Sequence, residues 1–175
     1  YAQNERNFAR SGNSHYDKGL FLDSEIDYRK ALSLNSSFEE VKFNLADALF
    51  RQDRYDDAIN SLNDLISSTN NMDLKSEAYY NLGNNFLKQQ KLEEAVDAYK
   101  NCLRINPHDE EARYNLAKTL SILNQQQKQD KNEQNEEGNQ EDKNEQNNQN
   151  SGETDSSEEE NKKDKNINKV EKNNS

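Results

Sequence analysis

The sequence predicts an all-α chain built from repeated helix pairs, and three observations carry that prediction. One tripeptide recurs as Asn44-Leu45-Ala46, Asn81-Leu82-Gly83 and Asn115-Leu116-Ala117, each time preceded by an aromatic residue, Phe43, Tyr80 or Tyr114. The leucines are spaced by 37 and then 34 residues, and a fainter copy places Gly12 34 residues before Ala46 with Phe8 four residues ahead of it. A second set of positions repeats in step with the first: Ser24, Ala58 and Ala95, then Tyr28, Leu62 and Tyr99, then Ala31, Leu65 and Cys102. That i, i+4, i+7 spacing lays the set along one helical stripe. Third, 50 of the 52 hydrophobic residues lie in Tyr1–Leu123, so the foldable part of the chain ends where the repeats end.

The elements follow in order. Residues 1–4 read as an extension, and the first unit is Glu5–Phe38. Its second helix starts its stripe at Phe21, a slot shared with Tyr55 and Leu92. The second unit, Glu39–Lys75, opens on a capping-box pattern of Ser37 with Glu40. It is three residues longer than its neighbours because Thr69–Lys75 is expected to lengthen its closing turn. The third unit, Ser76–Asp109, carries a first-helix stripe of Ala78, Tyr79, Leu82 and Phe86, and Asn106-Pro107 stops its second helix. Asp109, Glu110 and Glu111 then supply a cap and first-turn negative charge for a last, unpaired helix over Glu110–Asn124. Its inner positions are expected to be Ala112, Leu116, Leu120 and Leu123. From Gln125 to Ser175 the chain holds 14 acidic and 8 basic residues and only two aliphatic side chains, Ile167 and Val170. With an ordering entropy of roughly 1–2 kcal/mol per residue and almost nothing to bury, this tail is expected to stay disordered, with the last helix running on at most through Gln125–Gln129.

The repeat resembles the tetratricopeptide repeat, a helix–turn–helix unit of about 34 residues. Ser76–Asp109 matches its pattern at Tyr79, Leu82-Gly83, Phe86, Ala95, Tyr99, Cys102 and Pro107. Ser36 and Asn70 stand where Pro107 does, Leu65 fills a slot usually given to alanine, and Ser11 and His15 replace apolar residues in the first unit. The resemblance implies a right-handed α-α superhelix of three helix pairs closed by a capping helix. The layout of three repeats, a closing helix with Tyr114-Asn115-Leu116-Ala117 and a Gln-rich acidic tail is similar to the tetratricopeptide proteins of Bacteroidetes aerotolerance (Bat) operons over residues 5–130. That likeness implies a scaffold in the periplasm or cell envelope, beside von Willebrand-type and MoxR-type ATPase partners. The Tyr1-Ala2-Gln3 start would suit an exported chain cut after Ala2, and a cytoplasmic location is the alternative.

Composition narrows the function classes. There is no apolar run near 18 residues, so no transmembrane segment is expected in this sequence. A net charge of −11, with acidic residues in excess both before and after position 125, opposes nucleic-acid binding, which depends on neutralising phosphates. One cysteine and two histidines leave little for a metal site, and no cofactor is expected. No phosphate loop or nucleophile–base pairing appears, so the chain reads as a non-catalytic protein. His15 fits a helix-surface or aromatic-slot position better than a general base. Cys102 sits in a small buried slot and fits inert packing better than redox chemistry.

Function is therefore expected on the groove formed by the first helix of each unit. In the family, extended peptides lie along those helices, which implies contacts from Asn13, Tyr16 and Asp17 in unit one, and from Phe43, Asn44, Asp47, Phe50 and Arg51 in unit two. Unit three would add Tyr80, Asn81, Asn84, Leu87 and Lys88, and the closing helix Tyr114, Asn115 and Lys118. Asn44, Asn81 and Asn115 share one offset, and carboxamides both donate and accept, so they suit a peptide backbone. Alternatively, they satisfy neighbouring backbone or one another within the stack. The clamp of chaperone-binding members, which holds a terminal carboxylate, matches at Asn13 and Asn44. Its cationic positions, however, read Ala9, Glu77 and Asn81. Glu77 would repel an acidic terminus, so a basic or neutral ligand is expected. The competing expectation is a self-associating module in which the unpaired last helix stacks on another chain.

Overall fold

The computed structural model describes residues 2–129, and every regular element among them is helical. The helices are α1 (Ala2–Asp17), α2 (Phe21–Leu34), α3 (Glu39–Phe50), α4 (Tyr55–Ser68), α5 (Met72–Lys88), α6 (Leu92–Ile105) and α7 over 110–129. Neighbours pack within pairs as α1·α2, α3·α4 and α5·α6, and between pairs as α2·α3 and α4·α5. First helices also touch across units, α1 against α3 and α3 against α5. The two core clusters follow this order, one around Tyr28, Ala31, Leu45 and Leu49, the other around Ala46, Leu62, Leu65 and Leu82.

The turn inside each pair is the same device three times. Gly19 (φ 75), Asp53 (φ 58) and Gln90 (φ 61) occupy the left-handed region at equivalent offsets. The next residue's N–H, from Leu20, Arg54 or Lys91, returns to the carbonyl of His15, Leu49 or Phe86 at 2.9, 3.1 and 2.9 Å. The left-handed residue itself bonds three residues back, to Tyr16, Phe50 or Leu87. This is the Schellman closure, which satisfies carbonyls that a helix end otherwise leaves open. Only the first copy uses glycine, the residue that pays no steric penalty there.

Several boundaries differ from expectation. Residues 2–4 are already helical. The Ser37–Glu40 capping box does not form: Phe38 is the N-cap of α3 with no side-chain bond, because Asn35 Oδ1 takes the Ser37 N–H at 3.0 Å and sets the turn instead. The three additional residues of unit two do not lengthen a turn but add length to the start of α5. Thr69 Oγ1 accepts from the Asn71 N–H, and Asn71 Oδ1 accepts from the N–H groups of Asp73 and Leu74, so the helix starts at Met72. Asp109 caps α7 as expected, accepting from the Ala112 N–H at 2.8 Å. On α7, however, the fully buried positions are Ala112 and Thr119, while Leu120 is exposed. Thr119 is tolerated inside because its hydroxyl donates to the Asn115 carbonyl at 2.7 Å. The tail expectation for 130–175 lies outside the described residues, and no helix among those described is long and apolar enough to cross a membrane.

The two departures of unit one have a common cause. Ser11 Oγ donates to Asp27 Oδ2 at 2.6 Å, and His15 Nδ1 meets the same oxygen at 3.0 Å. Lys30 adds a contact to Oδ1 at 3.4 Å. Burial pushes the Asp27 carboxyl up, but bonds from Ser11, Lys30 and His15 outweigh it and hold the group below its ordinary value. Ser11 and His15 thus serve a buried carboxylate, and the serine hydroxyl is directed at Asp27 rather than at the imidazole.

Candidate functional site

In units one and three a tyrosine of the second helix lies on a glycine of the first. A Cβ added at Gly12 would stand 2.5 Å from the Tyr28 ring, and one at Gly83 would stand 2.5 Å from the Tyr99 ring. Glycine is needed here for close approach, not for turn geometry. Both rings are buried, and both hydroxyls donate to an asparagine on the first helix, Tyr28 to Asn13 and Tyr99 to Asn84, each at 2.7 Å. Burial pushes both hydroxyls above their ordinary value. The first helix of the next unit then adds a rung: Asn44 Nδ2 donates to Asn13 Oδ1 at 3.1 Å, and Asn115 Nδ2 to Asn84 Oδ1 at 3.2 Å.

The middle unit departs at every one of these offsets. Ala46 replaces the glycine, Leu62 the tyrosine and Asp47 the asparagine. Among the described residues no bond joins Asn81 to Asp47, the equivalent rung. A cavity of about 80 Å³ opens there, with Ala46, Phe50 and Leu62 as its apolar walls. Its polar lining is Asp47, Asn81, Asn84 and Asn85. Asp47 Oδ2 accepts from the Tyr16 hydroxyl at 2.5 Å, and burial followed by this bond pushes the Tyr16 hydroxyl well above its ordinary value. Asn85 is 1% exposed, donates Nδ2 to the Asn81 carbonyl at 2.8 Å and leaves Oδ1 without a protein partner.

The expected groove residues fall into three groups. Asp47, Phe50, Asn81 and Asn84 meet around the cavity, with Tyr16 bonded to Asp47. Asn13 and Asn44 form one rung, while Asn115, Asn84 and Tyr80 form another, with Asn115 Nδ2 3.3 Å from the Tyr80 hydroxyl. Two of the three recurrent asparagines therefore bond within the stack, and Asn81 alone faces an open rung. The rest stand apart: Phe43 packs against the second core cluster, Arg51 lies over the Phe21 ring at 5.0 Å, and Leu87 is half-buried. Asp17, Lys88, Tyr114 and Lys118 are exposed. Ala46, Leu62 and Asn85 were not expected in the site, although Leu62 breaks the tyrosine pattern visibly in the sequence. Cys102 is fully buried, and burial pushes its thiol up to about 11, as inert packing requires.

Comparison with known proteins agrees with this architecture. A tetratricopeptide repeat family profile matches residues 76–109, and a second tetratricopeptide repeat profile matches residues 10–71. The chain is 33% identical over 98 residues to peptidyl-prolyl cis-trans isomerase CYP7 of Saccharomyces cerevisiae, covering 55% of this chain and 25% of that protein. It is 31% identical over 106 residues to the STIP1 homolog of Dictyostelium discoideum, covering 58% of this chain and 18% of that protein. It thus spans a quarter or less of these relatives. Among solved structures, the first TPR of Spaghetti (RPAP3) bound to HSP90 peptide SRMEEVD superposes with a TM-score of 0.64 at 26% identity, covering 70% of this chain and 95% of that one. A MamA crystal structure, at TM-score 0.65, 24% identity and 69% of each chain, shares the fold. The two profile matches together cover more than half of the sequence in the register of the helix pairs, and the chain belongs to the tetratricopeptide repeat family.

Proposed function

We propose that this protein is a non-catalytic scaffold that holds an extended segment or helix of a partner protein along its first helices. The observation that carries this reading is that four of the residues assigned to the groove by repeat offset, Asp47, Phe50, Asn81 and Asn84, converge on one open, mixed polar and apolar cavity. The peptide-bound structural relative supports the same mode of use. Ligand character differs from that of an acidic-peptide clamp, since Ala9 is buried, Glu77 is exposed and Asn81 lines the cavity. A basic or neutral segment fits these residues. An envelope location within a Bat-type complex is the finer form of the same reading, resting on the layout of repeats and tail.

The test is selection of decapeptides from a random display library on the full chain, followed by affinity measurement. The double variant Asn44→Ala, Asn81→Ala is expected to bind selected peptides about tenfold or more weakly with its helical circular dichroism unchanged. Unchanged affinity would remove the groove reading. Self-association is favoured by a different observation, the exposure of Tyr114 (68%) and Leu120 (43%) on the unpaired α7. A sedimentation coefficient that stays monomeric across a wide concentration range would rule it out.

A further inference from the structure

The cavity of the middle unit has a more specific chemistry than a general peptide groove. Its shape comes from a paired change. Replacing tyrosine by Leu62 empties the space, while Ala46 places a Cβ where the flanking units have none. In those units a Cβ would lie 2.5 Å from the ring, so an incoming aromatic side chain cannot take the pose of Tyr28 or Tyr99. What enters must be slim. The volume, about 80 Å³, exceeds the roughly 10–15 Å³ that one water occupies on a comparable measure.

The polar groups left open are mixed: the Asn81 carboxamide offers a donor as well as an acceptor, and the one formal charge on the wall is the Asp47 carboxylate. Asn84 Oδ1 already receives the Tyr99 hydroxyl and Asn115 Nδ2, and Asp47 Oδ2 receives Tyr16. Asp47 Oδ1 remains on the wall, while Asn85 Oδ1, without a protein partner, is closed to any water-sized group and stands behind the wall. Among the described residues, no ion pair involves Asp47; Arg51, one turn on, lies over the Phe21 ring, and its charge also reaches the Tyr16 hydroxyl that Asp47 binds. A carboxylate without an ion-pair partner, beside the Asn81 carboxamide, calls for a ligand with several donors and a positive charge. A primary ammonium provides three donors on a narrow aliphatic stem, which Phe50 and Leu62 can line. A guanidinium is broader and is best satisfied by both oxygens of a carboxylate, one of which Tyr16 already holds. The net charge of −11 adds a favourable field for a cation.

We propose that the middle-repeat cavity is a lysine-side-chain site, taking the ammonium of a lysine in a bound partner segment against Asp47, with Asn81 beside it. The assignment rests on the groove reading and deepens it. Acetylation of that lysine removes the charge and two donors, so the site would discriminate against the modified partner.

The probe is Nα-acetyl-lysine N-methylamide, titrated into the full chain while the side-chain amide signals of Asn81, Asn84 and Asn85 are followed by NMR. Saturable shifts confined to these residues are expected, about tenfold or more weaker with the Nε-acetyl-lysine and norleucine analogues and in Asp47→Asn. The triple variant Ala46→Gly, Asp47→Asn, Leu62→Tyr rebuilds the flanking pattern, and is expected to fold and lose the shifts. Equal shifts from the norleucine analogue, absence of a saturable lysine response in the folded parent, or a response kept in the folded triple variant would each overturn the assignment. If any of these occurs while library peptides still bind and depend on Asn81, the lysine site fails and the groove reading stands. If library binding is also insensitive to Asn81, both fall.

Discussion

The middle repeat and its two neighbours share a backbone design but close it differently. In the outer pairs a tyrosine seals the space between the helices, its ring on glycine and its hydroxyl on asparagine. In the middle pair alanine, leucine and aspartate stand at the same offsets, and the space stays open with a carboxylate on its wall. Glycine and tyrosine act as one unit in such a slot, since either alone is worse: the ring clashes with any Cβ, and glycine without the ring gives up helix propensity for nothing. A repeat that abandons both together keeps its helices and gains a cavity. The site is thus made by subtraction from a sealing motif.

The largest expected effect tests the seal. Tyr99→Ala deletes a fully buried ring and its bond to Asn84, and should cost about 3–5 kcal/mol in urea unfolding. Leu62→Ala, beside an existing cavity, should cost about 2–3 kcal/mol, the lower part of the range for such truncations. Equal losses would mean the two repeats pack alike.

Next, Gly83→Ala sets an overpacking cost of about 1–3 kcal/mol against a propensity gain of about 1 kcal/mol, for a net loss of about 0–2 kcal/mol. Ala46→Gly should lose only the propensity, about 1 kcal/mol. Combining Gly83→Ala with Tyr99→Leu copies the middle repeat into the third, and a double-mutant cycle should return a favourable coupling of at least about 0.5 kcal/mol. Zero coupling would separate glycine from tyrosine.

Acid should loosen the two junctions of the middle repeat unequally. Glu25 of α2 is tied across to unit two by Arg54 at 2.6 Å and Gln52 at 3.1 Å. Burial raises its carboxyl, but bonds from Arg29, Arg54 and Gln52 outweigh burial and hold it below its ordinary value. A lowered folded value means that this stability is complete above the unfolded carboxylate range, about pH 4–5, and is lost as pH falls through the folded value. Asp27 behaves in the same way. The other junction relies on exposed contacts, Gln89 to Asp56 and Lys91 to Asp56. Hydrogen exchange between pH 5 and 3 should therefore show α2 losing protection before α6. Simultaneous loss would remove Glu25 as a distinguishing tie.

The smallest effect concerns the shared turns. Gln90→Gly and Asp53→Gly relieve left-handed backbone and should each stabilise by roughly 0.5 kcal/mol after the added unfolded-state entropy. Gly19→Ala should destabilise, because its φ of 75 is strained for any Cβ. Thermal melts of the three variants decide the sign.

Much of this architecture was legible in residue order. The unit and stripe starts fall within a few residues of where α1 to α6 begin, and Asn106-Pro107 and Asp109 mark the α6–α7 break where it occurs. The errors sit where side chains compete for the same backbone groups. Ser37 offered a cap, but Asn35 Oδ1 took the Ser37 N–H; Asn71 captured the start of α5 and put four expected turn residues, 72–75, into helix. On α7, a buried Thr119 and an exposed Leu120 reverse the hydropathy order, because Thr119 continues the i, i+4, i+7 row of Ala112 and Leu116 that faces the stack while Leu120 falls beside it. In the site, the asparagine recurrence was visible, but not that two of the three asparagines bond to residues 31 positions earlier while the third faces a gap.

The sequence by itself determined the all-α class, the repeat register and most of the apolar faces, because each depends on local hydrogen bonding and on which side of a helix is apolar. Only the tertiary structure decided which equivalent residues touch and where packing leaves room. A cavity is a property of volumes contributed by α3, α4 and α5 together: the substitutions at Ala46, Asp47 and Leu62 are plain in the chain, but their consequence exists only once three helices are held at a fixed separation.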